Sequence, residues 1–242
     1  SRILCDAFWN SIDYENLKLQ LKNQLNFFDI GCGSGNYGKL FQKLSGPHFE
    51  NYTGIDVYKH KNFPREFELI ESSAEHISQY INEKINFITS QSALEHIEKD
   101  FHVLEQTTKK LYEYNKTFIQ IHMLPASKSL WLYLWHGYRQ YSKKNLINIV
   151  KKLRENYEIS VSVVPLGGNH CFWTHLKNIT IPIMINHFKN KKNFNWHDQE
   201  NIEKKILNSV KKDLNYKGES PLFWALIISS KNIILKYKLN NL

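Results

Sequence analysis

Cysteine, methionine and long apolar runs are scarce in this chain. Its 242 residues include three cysteines and two methionines. Cys5, Cys32 and Cys171 lack the spacing of metal ligands, which excludes a cysteine-based metal site, and their odd number suits a reducing cytoplasm. No stretch approaches the ~20 apolar residues that span a membrane, and no basic-then-apolar signal pattern opens the sequence. We therefore expect a cytoplasmic protein without a membrane span.

The charge is unevenly distributed along the chain. The net charge is +9, but the 15 basic and 16 acidic residues of 1–140 nearly cancel, so the excess lies in 141–242. A basic second part suggests an anionic substrate, nucleic acid or an acidic surface, or simply a solvated lysine-rich face. Because no arginine-rich or aromatic-interleaved module is present, we regard nucleic acid as the less favoured partner.

A glycine cluster follows the first apolar run. Residues Asn26–Leu40 predict a strand, a tight turn and the start of a helix, with Gly31, Gly33 and Gly35 in the turn. Glycine tolerates positive φ and lets a ligand approach the backbone. The helix N-terminus beyond it offers free N–H groups and the positive end of a dipole. The segment therefore predicts a ligand site.

Two phosphate-binding patterns overlap this turn. Gly33-x-Gly35-x-x-Gly38 fits the dinucleotide fingerprint, which is weak evidence alone. The P-loop pattern fails because Leu40 stands where a hydroxyl would hold Mg²⁺. Asp29 precedes the glycines, and a carboxylate there would repel phosphates but suit a cationic ligand with a sulfonium and an amino group.

The pattern Asp-x-Gly-x-Gly-x-Gly at 29–35 resembles motif I of the class I S-adenosylmethionine (SAM) methyltransferases. The resemblance covers about residues 25–123, because an acid ends the second strand and Gln91–Ile97 is similar to the family's Leu-Glu-His segment. It implies a doubly wound α/β fold, SAM as cofactor and methyl transfer as the reaction.

The apolar runs predict seven strands in a mostly parallel sheet, with an insertion between the last two. The predicted strands are Phe27–Ile30, Tyr52–Asp56, Phe67–Glu71, Ile85–Ser90, Lys116–His122, Tyr157–Val164 and Leu222–Ser229. Helical spacing predicts helices over 36–45, Phe101–Glu113 and Lys143–Asn156.

Three segments surround this single predicted domain of residues 1–242. We expect a helical cap over 1–25, an aromatic lid segment over 124–142, and an insertion over 165–221 that recognises the substrate. A loop of that length inside a compact domain is usually functional.

The cofactor contacts are expected where the first four strands end. Asp56 lies about 20 residues after the glycine turn, where an acid accepts hydrogen bonds from two ribose hydroxyls. The resemblance places Ser73 and Ala74 along the adenine, although Ser73 also suits a plain helix N-cap. The full predicted set is Asp29, Gly31, Gly33, Gly35, Asp56, Ser73, Ala74, Ser90 and Gln91.

Histidines are the predicted proton acceptors. The cofactor supplies the electrophile in methyl transfer. An acceptor that carries a proton needs a base, for which histidine is well matched near neutral pH, whereas an acceptor that is already ionised needs none. Because ligands of open α/β sheets lie beyond the carboxyl ends of strands, His96 and His122 are the predicted catalytic residues. His136, Arg139 and His170 are predicted to bind the acceptor, and no metal is expected.

The sequence thus predicts a SAM-dependent methyltransferase that acts on a small, anionic acceptor. By analogy, we expect O-methylation of a sugar or phosphoramidate precursor of a bacterial surface polysaccharide, with insertion lysines such as Lys189, Lys191 and Lys192 contacting the acceptor. An RNA methyltransferase and a non-catalytic SAM-binding scaffold are the alternatives, and the oligomeric state is left open.

Overall fold

A seven-stranded sheet forms the centre of the structure, a computed structural model that describes residues 2–114, 117–132, 137–188 and 200–238. The strands are β1 (Leu25–Ile30), β2 (Phe49–Asp56), β3 (Glu68–Glu71), β4 (Phe87–Gln91), β5 (Ile119–Pro125), β6 (Ile159–Leu166) and β7 (Phe223–Ser230). Their order is β3-β2-β1-β4-β5-β7-β6. Only the pairings of β7 with β5 and β6 are antiparallel. The predicted doubly wound, mostly parallel fold is confirmed.

Eight α-helices accompany the sheet within the described residues. They are α1 (Arg2–Ser11), α2 (Tyr14–Leu21), α3 (Asn36–Ser45), α4 (Asp100–Glu113), α5 (Lys143–Asn156), α6 (Asn169–His175), α7 (Ile181–Phe188) and α8 (Glu200–Asp213). Short 3₁₀ turns occur at Gly46–His48, Ala74–Gln79, Leu94–His96 and Ser127–Trp131, and a π-helical turn at Leu176–Thr180 joins α6 to α7. None of these helices is long and apolar enough to cross a bilayer.

Both faces of the central strands are buried. Neighbouring residues of a strand point to opposite faces, and accordingly Phe27 and Phe28 belong to two different core clusters. Phe27 stacks on Phe41 of α3 with ring centroids 4.8 Å apart. Strands buried on both faces have near-continuous apolar sequences, which is why the apolar runs located them.

The strand order reverses between β1 and β4. From β1 the chain proceeds outward through β2 and β3, and then returns to place β4 on the other side of β1. In open parallel sheets such a switch point leaves a crevice at the carboxyl ends of the two strands, where ligands bind. The glycine turn after β1 lies at this point.

The fifth strand differs from its prediction. It runs over Ile119–Pro125, whereas the sequence predicted Lys116–His122, because Met123 and Leu124 continue the strand by pairing with β7. His122 therefore lies inside the sheet and not at the end of its strand.

The ring of His122 is completely buried and holds two polar neighbours. Its Nδ1 lies 2.9 Å from the hydroxyl oxygen of Ser90, and its Nε2 lies 3.4 Å from Oε1 of Gln120. Because an amide oxygen only accepts, Nε2 carries the hydrogen and Nδ1 accepts from Ser90. Burial lowers the pKa of His122 to about 3.

The insertion between β6 and β7 is helical, and a carboxylate of α8 is hydrogen-bonded to the start of α6. Oδ2 of Asp213, at the end of α8, accepts hydrogen bonds from the backbone amides of Gly168 (2.8 Å) and Cys171 (2.7 Å). An aspartate that accepts from the first amides of a helix caps it and favours its dipole. The cap therefore fixes α6 against α8.

The N-terminal helix is anchored to the sheet. Trp9 of α1 is fully buried, and its indole N–H donates to Oε1 of Gln91 at the end of β4 (3.0 Å). Tyr37 of α3 donates a further hydrogen bond to Asp6 of α1 (2.9 Å). Helix α1 thus lies over the carboxyl ends of the strands.

Stability should depend on the protonation of His122. In the unfolded chain this histidine binds a proton below its ordinary pKa of 6.5, and in the folded protein only below about 3. Its contribution to stability is therefore lost as the pH falls through that window, at about 1.4 kcal/mol per pH unit. Urea unfolding of His122→Gln between pH 6 and 4.5 should show a slope that is smaller by this amount.

The matched control is His102→Gln, which removes an exposed histidine from α4. This variant should keep the wild-type slope. Equal slopes for wild type and His122→Gln would contradict a neutral, buried imidazole.

Candidate functional site

Three glycines shape the turn after β1. Gly31, Gly33 and Gly35 have φ angles of 70°, 52° and 71°, a region that residues with side chains rarely adopt. Space also requires glycine at 31, because an added Cβ would lie 2.5 Å from the Cβ of Ala93. The turn is therefore in close contact with the segment that follows β4.

The acid before the glycines, Asp29, lies inside the sheet on β1. Asp29 is buried, and its two carboxylate oxygens accept hydrogen bonds from the hydroxyls of Tyr52 (2.6 Å) and Thr89 (2.9 Å). Burial raises the pKa of Asp29 to about 6, although both hydrogen bonds oppose the shift. Because its carboxylate joins β1 to β2 and β4, the structure does not show the contact with a cationic ligand that the sequence predicted.

A cavity of about 370 Å³ opens at the switch point, beside the turn. Five of the residues predicted to form the site line it: Gly31, Asp56, Ser73, Ala74 and His96. They come from the ends of β1, β2 and β4 and from the segment after β3. The topology thus brings together side chains that are far apart in the sequence.

Asp56 is the charged group best placed to bind a ligand in this cavity. Its Oδ2 accepts from the backbone amide of Gly33 (2.8 Å), and its Oδ1 accepts a longer hydrogen bond from Tyr58 (3.3 Å). Each carboxylate oxygen can accept a second hydrogen bond. The fixed carboxylate can therefore accept hydrogen bonds from two adjacent hydroxyls of a ribose.

Ser73 caps a helical turn and also lines the cavity, and its contact with the adenine stays a prediction. Its hydroxyl oxygen accepts from the amide of Glu75 (3.3 Å), which makes it the N-cap of the turn Ala74–Gln79, and the residue also lines the cavity. The capping bond leaves the hydroxyl hydrogen available for a ligand.

Sequence reasoning missed several residues of the cavity wall. Ser92, Ala93 and Tyr138 line it, and Ser92 is a non-glycine residue with φ of 51°. Such strained backbone is concentrated at functional sites. The similarity of Gln91–Ile97 to the Leu-Glu-His segment was the one available indication of Ser92. Tyr138 reaches the cavity only through tertiary folding.

Ser90 and Gln91, which the sequence predicted to contact the cofactor, do not line this cavity. Ser90 is fully buried and bonded to the ring of His122. Gln91 accepts from the indole of Trp9 and so holds α1. Both side chains are therefore engaged inside the protein.

The two predicted catalytic histidines lie in different environments. His96 is exposed in the cavity wall. His122 is fully buried, and both of its ring nitrogens face protein groups. The structure therefore places His96 in the cavity wall, whereas the hydrogen bonds of His122 leave neither ring nitrogen for the proton of an acceptor.

The residues predicted to bind the acceptor are dispersed. Arg139 donates to a carboxylate oxygen of Asp100 (2.5 Å) and to the carbonyl oxygen of Glu98 (2.5 Å), so its guanidinium fastens its own segment to the start of α4. His170 lies on α6, in a separate cavity. His136 lies outside the described residues. Within the described ranges, no cluster of three or more His, Cys, Asp or Glu side chains could hold a metal.

A larger groove, of about 760 Å³, lies between α5 and β6. Its wall combines apolar side chains with charges that pair among themselves, such as Lys151 with Glu155 (3.8 Å). None of the motif residues reaches it. The smaller cavity, where the glycine turn and Asp56 lie, is therefore the candidate ligand site.

Comparison with known proteins agrees with this geometry. Residues 28–113 match the family profile described as "Methyltransferase domain". No curated protein sequence matches the chain.

Solved methyltransferase structures share the fold. The plantazolicin methyltransferase BamL, in complex with a triazolic desmethylPZN analog and S-adenosylhomocysteine (SAH), has 16% identity and a TM-score of 0.58 over 95% of this chain and 84% of its own. A SAM-dependent methyltransferase from Archaeoglobus fulgidus has 18% identity and a TM-score of 0.54 over 95% of both chains. The plantazolicin methyltransferase BpumL, in complex with SAH, has 13% identity and a TM-score of 0.51 over 95% of this chain and 84% of its own.

Residues 28–113 thus match a methyltransferase domain, and the whole chain has the fold of class I SAM-dependent methyltransferases. Both findings support methyl transfer as the activity and SAM as the cofactor. The cavity fits its adenosine part, because Asp56 can accept from the ribose hydroxyls and Ser73 and Ala74 lie farther along the wall. The glycine turn beside it leaves room for close approach to the backbone.

Removal of the Asp56 carboxylate should weaken cofactor binding. Asp56→Ala loses charged hydrogen bonds to the ribose, which corresponds to about 1.5–3 kcal/mol of binding free energy for SAH in calorimetry. The control is Glu71→Ala, because Glu71 is an exposed acid at the end of the neighbouring strand and does not line the cavity.

Circular dichroism should show that both variants fold. Unchanged SAH affinity in Asp56→Ala would contradict the ribose assignment, and a preference of the wild type for NAD or Mg-ATP over SAH would contradict the cofactor.

Proposed function

We propose that this methyltransferase acts on a small molecule that carries an anionic group, and that the helical insertion recognises that group. The transferred methyl comes from SAM bound at the carboxyl ends of β1, β2 and β4. The observation that supports an anionic acceptor is a second cavity, of about 240 Å³, between α6 and α8 of the insertion.

This second cavity is polar and basic. His170, Lys205 and Lys212 line it, together with the neutral polar residues Thr174, Asn178, Asn208 and Ser209. None of the described residues that line this cavity carries a carboxylate. Lysine donors and hydroxyl or amide groups complement a phosphate, sulfate or carboxylate, so an anion is the ligand that this wall suits.

The acceptor class that we favour is a sugar or phosphoramidate precursor of a bacterial surface polysaccharide, methylated on oxygen. The basic wall of the insertion supports an anionic molecule of this kind. Three lysines assigned to the acceptor on sequence grounds, Lys189, Lys191 and Lys192, lie outside the described residues, so the proposal rests on His170, Lys205 and Lys212.

The remaining segments also have proposed roles. We propose that the aromatic segment over 124–142 covers the bound acceptor. In support, Tyr138 lines the cofactor cavity, and Arg139 is hydrogen-bonded to Asp100 at the start of α4. Helix α1, within the segment over 1–25, closes the same edge of the sheet.

Transfer of label from SAM tests the function. The protein is incubated with methyl-tritiated SAM and either a small-molecule extract or RNA, and the fractions are counted. We expect label in anionic small molecules. Label in RNA, with strongly salt-dependent binding, would favour an RNA methyltransferase, and SAM binding without any turnover would favour a scaffold role.

The insertion should affect the acceptor and not the cofactor. Lys212→Gln removes a charge from the cavity wall, so we expect the KM for the labelled small molecules to rise about 5- to 20-fold, more at low salt than at high salt. Lys211→Gln is the matched control, because Lys211 precedes Lys212 on α8 but does not line the cavity.

The affinity for SAH, measured by calorimetry, should stay at the wild-type value in both variants. Equal KM values for the two variants, or an effect limited to SAH affinity, would contradict acceptor recognition by this cavity.

A further inference from the structure

One oxygen of a buried carboxylate is left without a hydrogen-bond partner. Glu95 lies in the turn Leu94–His96 after β4 and is 1% exposed. Its Oε2 has no hydrogen-bond partner. Nearly all buried polar atoms in folded proteins are hydrogen-bonded, so this oxygen indicates a place where a ligand completes the structure.

The protein covers this carboxylate closely without neutralising it. A Cβ added to Gly137 would lie 3.0 Å from Cγ of Glu95, and the amide of Tyr138 donates to the carbonyl oxygen of Glu95 (2.7 Å). The nearby cation, Arg139, is paired with Asp100. Within the described residues, Glu95 forms no ion pair.

Two further ionisable groups face Glu95. Cys5 of α1 and Tyr141, which precedes α5, both interact electrostatically with its carboxylate, and burial keeps both of them protonated by raising their pKa values. Burial is also the main cause that raises the pKa of Glu95 to about 7, opposed by a hydrogen bond from its own backbone amide.

The carboxylate lies next to the cofactor cavity. Ala93 and His96, on either side of Leu94 and Glu95, form part of the cavity wall. The same short turn thus contributes wall residues to the cofactor cavity and, between them in the chain, one unpaired carboxylate oxygen. A molecule that pairs with Oε2 would lie next to the turn that lines this cavity.

We propose that Glu95 is the catalytic residue that takes the proton of the acceptor during methyl transfer. This inference deepens the proposed function and rests on it. It also restricts the substrate: the methylated atom carries a hydrogen, so it is the oxygen of an alcohol or the nitrogen of an amine or amide.

The step balances in atoms and charge. The bond between the sulfonium sulfur and its methyl carbon breaks, and its electron pair stays on sulfur as a neutral thioether. A lone pair of the acceptor atom forms the new bond to the methyl carbon, and the acceptor's proton moves to Oε2 of Glu95. The positive charge of the sulfonium and the negative charge of the carboxylate are thus both neutralised, and no other reactant is required.

Glu95 fits this role better than either histidine. The two ring nitrogens of His122 already face Ser90 and Gln120 inside the sheet. His96 lines the cofactor cavity. Glu95 alone among the three has a buried acceptor oxygen for which the described protein offers no donor.

Substitution by an isosteric amide tests the proposal. With methyl-tritiated SAM and the small-molecule fraction that the wild type labels, Glu95→Gln should lower the initial rate at saturation by 10²- to 10⁴-fold. The wild-type rate should rise with pH through about 7 and then level off, because the carboxylate form is the active one, and Glu95→Gln should lack this rise. The affinity for SAH should change less than threefold.

Two controls separate this role from others. Glu50→Gln removes an exposed acid from β2 at the opposite edge of the sheet and should keep the wild-type rate and pH profile. His96→Gln should retain the rise with pH. The proposal is overturned if Glu95→Gln keeps a rate within tenfold of wild type, or if the rise with pH is lost in His96→Gln and kept in Glu95→Gln.

A measurement without acceptor provides a second check. The infrared difference between wild type and Glu95→Gln should show a carboxyl band that titrates near pH 7, and titration below pH 5 would contradict the proposal. If the wild type labels no fraction at all, the proposed function fails and this inference fails with it. Undiminished labelling by Glu95→Gln overturns the inference alone.

Discussion

The buried carboxylate of Asp29 links three central strands at the place where the sheet reverses direction. Hydroxyls from β2 and β4 donate to it from either side, so the carboxyl ends of these strands are held in a fixed relation. Replacement of either hydroxyl would leave an oxygen of a buried acid unpaired, which costs far more than the bond itself contributes. Asp56 at the end of β2, the glycine turn after β1 and the turn after β4 all depend on the fixed relation of these three strands.

Several separate segments of the chain form the candidate site together. The backbone of the glycine turn fixes the carboxylate of Asp56 through Gly33, and the segment after β4 limits how the turn lies through Ala93. Arg139 fastens the covering stretch to the start of α4. The cavity at the switch point therefore adjoins a stretch around Tyr138 and Arg139 that a few polar contacts hold in place.

The sequence predicted the fold well because strands that are buried on both faces have continuous apolar sequences, which are easy to recognise. The bounds of α5 were predicted without error, and Ser142 caps this helix. The predicted bounds of the fifth strand were shifted, because the pairing with β7 extends the strand beyond His122. That shift also placed His122 wrongly at the edge. The unpaired state of Glu95 and the helices held by Asp213 depend on tertiary contacts, which no local pattern reports.

The contact between Gly31 and Ala93 has a consequence for recognising distant relatives. A glycine-rich turn is common, but here its first glycine exists partly because a methyl group from another strand's loop occupies the adjacent space. A larger residue at either position would require a compensating change at the other. In an evolutionary lineage of this fold, the two positions should therefore covary in size, and that pairing would be a more discriminating signature than the glycine pattern itself.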